Sequence, residues 1–189
     1  MMAGPLFHAT ALGMLLACFA AFSVASFRHF DPESRSRGNL IIRVLTLVGT
    51  LGNVMLCVLA WPVPVPIGGL AILMAAVSLI VFRAAIGSAP TGELHVAFTG
   101  DGPEQLVTSG IYRWIRNPLY TSYLAFWAGW MPASGLHPVS VVCFALFLCL
   151  YWFAVREEER FLSERFGSAY TEFKSCSGRF LPRMRMLRS

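Results

Sequence analysis

Charge is what this chain has least of. Lys, Arg, Asp and Glu make up 13% of its 189 residues, against about 25% in ordinary soluble domains. None of the four occurs in residues 1–27, 44–82 or 117–155. Runs of that length without a charge exclude a soluble globular domain. Metal-ligand spacing is also missing. The five cysteines, at 18, 57, 143, 149 and 176, form no Cys-x-x-Cys pair and join no histidine cluster, so no metal is expected. A glycine-rich dinucleotide fingerprint is absent too. Gly100-Asp101-Gly102 follows no strand and is closed by Pro103, which excludes a Rossmann-type cofactor site. The basic tail has acids mixed into it, so nucleic acid is not its partner.

What is present is apolar: 56% of the residues are hydrophobic. The two charge-free runs 44–82 and 117–155 are equally long. At 1.5 Å per helical residue each covers roughly 58 Å, about twice a ~30 Å hydrocarbon core. Each therefore reads as a helical hairpin that crosses and returns, and the first run as a single crossing. The expected fold is an all-α integral membrane protein with five transmembrane helices. Every Lys and Arg falls in one of three regions, 28–43, 83–116 and 156–188. Five crossings put all three on one side, which the positive-inside rule makes cytoplasmic. The N-terminus is then outside and the C-terminus inside, in what would be a bacterial inner membrane.

The whole chain reads as one membrane domain. Residues 1–87 hold three helices, at about 5–27, 39–61 and 67–87, with Gly13 and Ser23 as small packing positions on the first. Prolines at 62, 64 and 66 make the turn between the second and third. Polar loops are expected at 28–38 and 88–105. Helix four is expected from about 110 to 131, distorted early by Pro118, and helix five from 138 to 155. Beyond it, Phe161, Leu162, Phe166, Tyr170 and Phe173 recur at helical spacing. They predict a C-terminal cytoplasmic amphipathic helix, with Gly167 as a point where it can bend.

The chemistry concentrates at the two ends of the second hairpin. Tyr112, Arg116 and Tyr120 follow at spacing four, which places them on one face of a continuous helix. Two phenols and a guanidinium suit a cationic or zwitterionic cofactor. An interfacial belt of Arg, Trp and Tyr accounts for them equally well. Glu157, Glu158 and Glu159 stand at the other end of the hairpin, on the same side.

Two segments carry a resemblance. Residues 106–120 read Leu-Val-Thr-Ser-Gly-Ile-Tyr-Arg-Trp-Ile-Arg-Asn-Pro-Leu-Tyr. A second segment has Glu158-Glu159, Leu162, Phe166-Gly167 and Tyr170, and Arg179-Phe180-Leu181-Pro182 follows it. These resemble the signatures of the isoprenylcysteine carboxyl methyltransferase family and the related bacterial phospholipid methyltransferases, over residues 104–183. The resemblance implies a membrane methyltransferase using S-adenosylmethionine without a Rossmann domain. By motif position the cofactor would contact Leu106, Val107, Tyr112, Asn117, Pro118, Leu119, Tyr120 and Glu158. Arg116, Asn117 and Tyr120 would form the catalytic floor. The acceptor would be an isoprenoid or lipid-like molecule, such as a prenylated substrate, reached from the membrane lipids. Two positions depart from the family. Asn117 stands where it has His, and cannot titrate. Ala154 stands where the eukaryotic enzymes have a substrate-binding Arg, leaving Arg156 as the nearest candidate. Carboxyl methylation of an isoprenylcysteine is the leading expectation. The alternatives are phospholipid amine N-methylation, an NADPH-dependent reductase of the sterol-reductase type, and a non-catalytic membrane protein.

Overall fold

The computed structural model describes residues 3–28, 37–88 and 105–183. Most of the polar loops expected at 28–38 and 88–105 lies outside these, as do the last six residues. The described chain is helical: α1 Ala3–Arg28, α2 Arg37–Leu59, α3 Val65–Ser88, a 3₁₀ turn Gly110–Arg113, α4 Pro118–Ala133 and α5 Pro138–Cys176.

Among the described residues four helices, α1, α2, α3 and α5, are long and apolar enough to cross a membrane. α4 is not: its 16 residues reach about 24 Å, short of a ~30 Å core. The expected start of this helix near residue 110 is corrected to 118, for a local reason. A residue preceding proline is pushed out of the α region, and Asn117 sits at φ −121°, ψ 59°. Pro118 then takes the first helical position, where its missing N–H costs nothing. It begins the helix and does not distort it. α5 runs on past residue 155 into the charged segment, 39 residues in all. Its charge-free part, 138–155, covers about 27 Å, close to the hydrocarbon thickness. The charged remainder projects beyond, with a break at Gly167 (φ 53°, ψ −119°).

The centre of the bundle is α4. It packs most extensively on α3, which also packs on α1, and α5 lies along its other side. Small residues permit this closeness. Ala71, Ala75 and Ser78 form the buried stripe of α3, and Ser78 Oγ donates to the Ser122 carbonyl of α4 at 2.8 Å. A Cβ at Gly129 of α4 would lie 2.9 Å from Leu15 and 3.4 Å from Met74. Tight approach between small residues replaces the hydrophobic drive that is missing between helices in lipid. On α1 the buried face is Ala11, Leu15, Cys18 and Ala25. Gly13, expected to pack, faces outward with nothing near it. Aromatic rings fill the rest. Phe22, Phe82, Tyr123 and Phe126 meet edge-on, and Trp127 stacks on Phe147 at 3.8 Å.

Candidate functional site

The approach to α4 is a run of tight backbone. Gly110 adopts φ +58°, and a Cβ there would sit 2.1 Å from Ser88 Oγ. Only glycine fits that left-handed position under such contact. Ser88 Oγ then accepts the Ile111 N–H at 3.3 Å, fixing the 3₁₀ turn to the end of α3. After the turn, Ile115 pairs with Gly178 in an isolated parallel bridge. Arg116 N donates to the Gly178 carbonyl at 2.8 Å, Gly178 N to that of Trp114 at 3.0 Å, and Asn117 N to that of Arg179 at 3.2 Å. Thr121 Oγ1 adds a bond to the Phe180 carbonyl at 2.9 Å. Residues 177–180 therefore return from the end of α5 to lie along the start of α4.

This geometry corrects one expectation. Tyr112, Arg116 and Tyr120 do not share a helix face. Tyr112 is in the 3₁₀ turn, Arg116 in the bend, and Tyr120 in the first turn of α4. They are separated because Pro118 forbids the continuous helix on which the spacing argument rested.

Two carboxylates on α5 nevertheless gather Arg116, Asn117 and Tyr120. Tyr120 Oη donates to Glu158 Oε2 at 3.0 Å, although the two are 38 positions apart. The Tyr120 ring lies 5.7 Å from that of Tyr151 and 6.4 Å from that of Tyr123. Tyr112 is part-buried in the 3₁₀ turn that leads into α4. Burial pushes the Glu158 carboxyl up to about 7; the Tyr120 hydroxyl pulls it down and the neighbouring Glu159 pushes it up. A carboxylate bonded to one phenol, with two further phenol rings beside it, has the charge and aromatic faces that attract a cation.

Glu159 does different work. It is 4% exposed and collects Arg116 Nε at 3.2 Å, Asn117 Nδ2 at 3.1 Å, and Arg179 Nε and Nη2 at 3.2 and 2.7 Å. Burial alone would raise its carboxyl, but Arg179 and Arg116 hold it below the usual carboxylate range. Arg116 also donates to the carbonyls of Lys174 and Ser177. Arg179 lies over Trp152 at 5.1 Å. Glu159 thus locks three chain segments together, and both arginines are occupied in doing so.

The remaining expected residues are placed less centrally. Leu106 and Val107 lie, part-buried, in the extended chain before the 3₁₀ turn. Pro118 is buried and Leu119 part-buried at the start of α4. Arg156 is exposed on α5, about 200° around the helix from Glu158. Ala154, four residues before Glu158, is buried. On the distal part of α5, Tyr170 is buried, whereas Phe161 is exposed. Sequence reasoning assigned no role to Glu159 or Arg179. The signals were the second acid of the Glu-Glu pair and the basic segment before Pro182. Their pairing across 20 residues and a helix break is not written in either.

Comparison with known proteins covers this same region. Residues 65–169, from the start of α3 to the distal part of α5, match the family described as phospholipid methyltransferase. The chain is 35% identical over 79 residues to protein-S-isoprenylcysteine O-methyltransferase of Saccharomyces cerevisiae, which covers 41% of this chain and 32% of that protein. It is 34% identical over 105 residues to protein-S-isoprenylcysteine O-methyltransferase A of Arabidopsis thaliana, covering 54% and 52%. The chain thus spans between a third and about half the length of these relatives. The family match takes in more than half of the chain and both carboxylates of the site: the protein belongs to the phospholipid methyltransferase family.

Proposed function

We propose that the chain is an integral membrane methyltransferase that uses S-adenosylmethionine and acts on an isoprenoid or lipid-like acceptor, as its relatives' names describe for isoprenylcysteine. The observation that carries the reading is the Tyr120–Glu158 contact, a carboxylate and phenols at the ends of two apolar helices. The donor set fits the cofactor. Its sulfonium and ammonium are cations, and Glu158 with Tyr112 and Tyr120 offers a negative charge and aromatic faces. When bound, the cofactor supplies an electrophilic methyl group. Glu158 and the phenols orient it, Asn117 and Pro118 shape the entry to α4, and Leu106, Val107 and Leu119 line the approach. Arg116 acts through Glu159, holding the 177–180 segment against α4. A lipid-borne acceptor approaches from the bilayer side. Catalysis is then chiefly positioning and exclusion of water.

In this reading α4, extended by the 110–117 segment, supplies a fifth crossing. The distal part of α5 is a cytoplasmic amphipathic segment folded back on the site. One observation favours a second acceptor chemistry. Arg116 and Arg179 are both tied to Glu159, Ala154 is buried, and Arg156 faces away. The arginines of the Glu159 cluster are thus committed and the family's acceptor-binding position is an alanine, which supports amine N-methylation. The test of the shared reading is calorimetric titration of S-adenosylmethionine into the detergent-purified protein. Glu158→Gln should weaken binding by about 1.5–3 kcal/mol, the worth of a charged hydrogen bond. Glu164→Gln, on the exposed face, should not. Equal affinity in wild type and Glu158→Gln would refute the assignment.

A further inference from the structure

Four buried side-chain atoms have no hydrogen-bond partner among the described residues: Thr50 Oγ1, Asn53 Oδ1, Trp130 Nε1 and Ser140 Oγ. None of these residues is more than 3% exposed. They stand on three helices, α2, α4 and α5, and the register puts one on each helix at the same level. The three helices meet at Gly49, where a Cβ would lie 2.9 Å from Trp127 and 3.4 Å from Cys143 Sγ. One turn from that meeting point, toward the 60–64 and 134–137 turns, each helix carries one of the set. On α2 it is Asn53, on α4 Trp130, and on α5 Ser140. The two turns themselves adjoin, since a Cβ at Gly135 would lie 3.6 Å from that of Ala60. Asn53 Nδ2 is used, donating to the Gly49 carbonyl at 2.9 Å and reaching Cys143 Sγ at 3.6 Å. Its carbonyl oxygen is left as an acceptor. Thr50, beside Gly49, adds a hydroxyl.

The set comprises an acceptor, a donor-only indole N–H and two hydroxyls that can act either way. It contains no charge. Unpaired groups of this kind are costly between membrane helices. We propose that α2, α4 and α5 enclose a binding site for a neutral hydroxyl group, from water or a lipid, at the opposite end of the bundle from Tyr120 and Glu158. The hydroxyl donates to Asn53 Oδ1 and accepts from Trp130 Nε1, while Thr50 and Ser140 complete its shell. Ten residues of α4, about 15 Å, separate Trp130 from Tyr120, and the Trp127–Phe147 stack lies between them. The site is therefore distinct from the one described above. It also explains how α2 is held, because this helix makes few other contacts with the bundle.

Hydroxyl-radical footprinting in ¹⁸O-water tests the proposal, with lipid analysis of the same purified protein. Trp130 and Trp127 are equally buried, so burial alone predicts equal, slow labelling. Bound water should label Trp130 at least about fivefold faster than Trp127. A lipid hydroxyl should instead leave Trp130 unlabelled and one hydroxyl-bearing lipid retained per chain. Whichever signal appears should be lost in Thr50→Val, which keeps the side-chain shape, and in Asn53→Leu. Equal labelling of the two tryptophans with no retained lipid would overturn the proposal. So would a signal that persists in both variants.

Discussion

At the scale of residues, two adjacent carboxylates divide the labour. Glu159 is structural, and its buried ion pairs make it the most sensitive single position. Glu159→Gln leaves Arg116 and Arg179 without their negative partner and replaces one of its two acceptor oxygens by a donor. It should cost about 3 kcal/mol, the low end for breaking a buried pair, because Arg179 is 31% exposed. Thermal melting in detergent reads this directly. Its pH dependence has a definite sign. The Glu159 carboxyl is lowered, so its contribution is present above the ordinary glutamate range and is lost as pH falls through the lowered value. Wild type should therefore melt earlier in acid, and Glu159→Gln should lack that decline. The Glu158 carboxyl is shifted the other way. Raised to about 7, it must ionise to hold a cation, so cofactor affinity should strengthen as pH rises from 6 to 8. Glu158→Gln should abolish that slope in calorimetric titrations at the two pH values.

At the scale of elements, the sequence was most informative where physics is local. Charge-free length located α1, α2, α3 and the start of α5 to within about two residues at most ends. Gly167 was legible as a bend, because only a left-handed residue breaks that helix. The start of α4 was misjudged because spacing four was read through Pro118, whose effect on Asn117 outweighs a periodic pattern. The Tyr120–Glu158 pairing was legible from the hairpin, whose two ends must meet. The return of residues 177–180 was not, because a parallel bridge to Ile115 is a long-range contact with no period to announce it. Two glycines test the local reasoning. Gly110→Ala forces a Cβ onto Ser88 at positive φ and should lower melting by an amount worth about 1–3 kcal/mol. Gly13→Ala, in open space on a helix, should leave melting unchanged or raise it slightly.

At the scale of the whole molecule, the bundle places its apolar mass along four long helices and its charged cluster at one end of α4 and α5. In the proposed five-crossing arrangement that end is cytoplasmic. A cysteine at Ser175 should then resist an impermeant thiol reagent added from outside, while one in the 134–137 turn should react; the reverse pattern would invert the topology. The central claim is that the Tyr120–Glu158 end of the bundle transfers methyl groups to lipids. Its most direct measurement is transfer of labelled methyl from S-adenosylmethionine into a native lipid extract by the purified protein, with Glu158→Gln beside it. Wild type should place label in a lipid product and the variant about tenfold less or lower, in line with the lost charged hydrogen bond. Folded wild type that labels no lipid, or a variant that labels as fast as wild type, would contradict it.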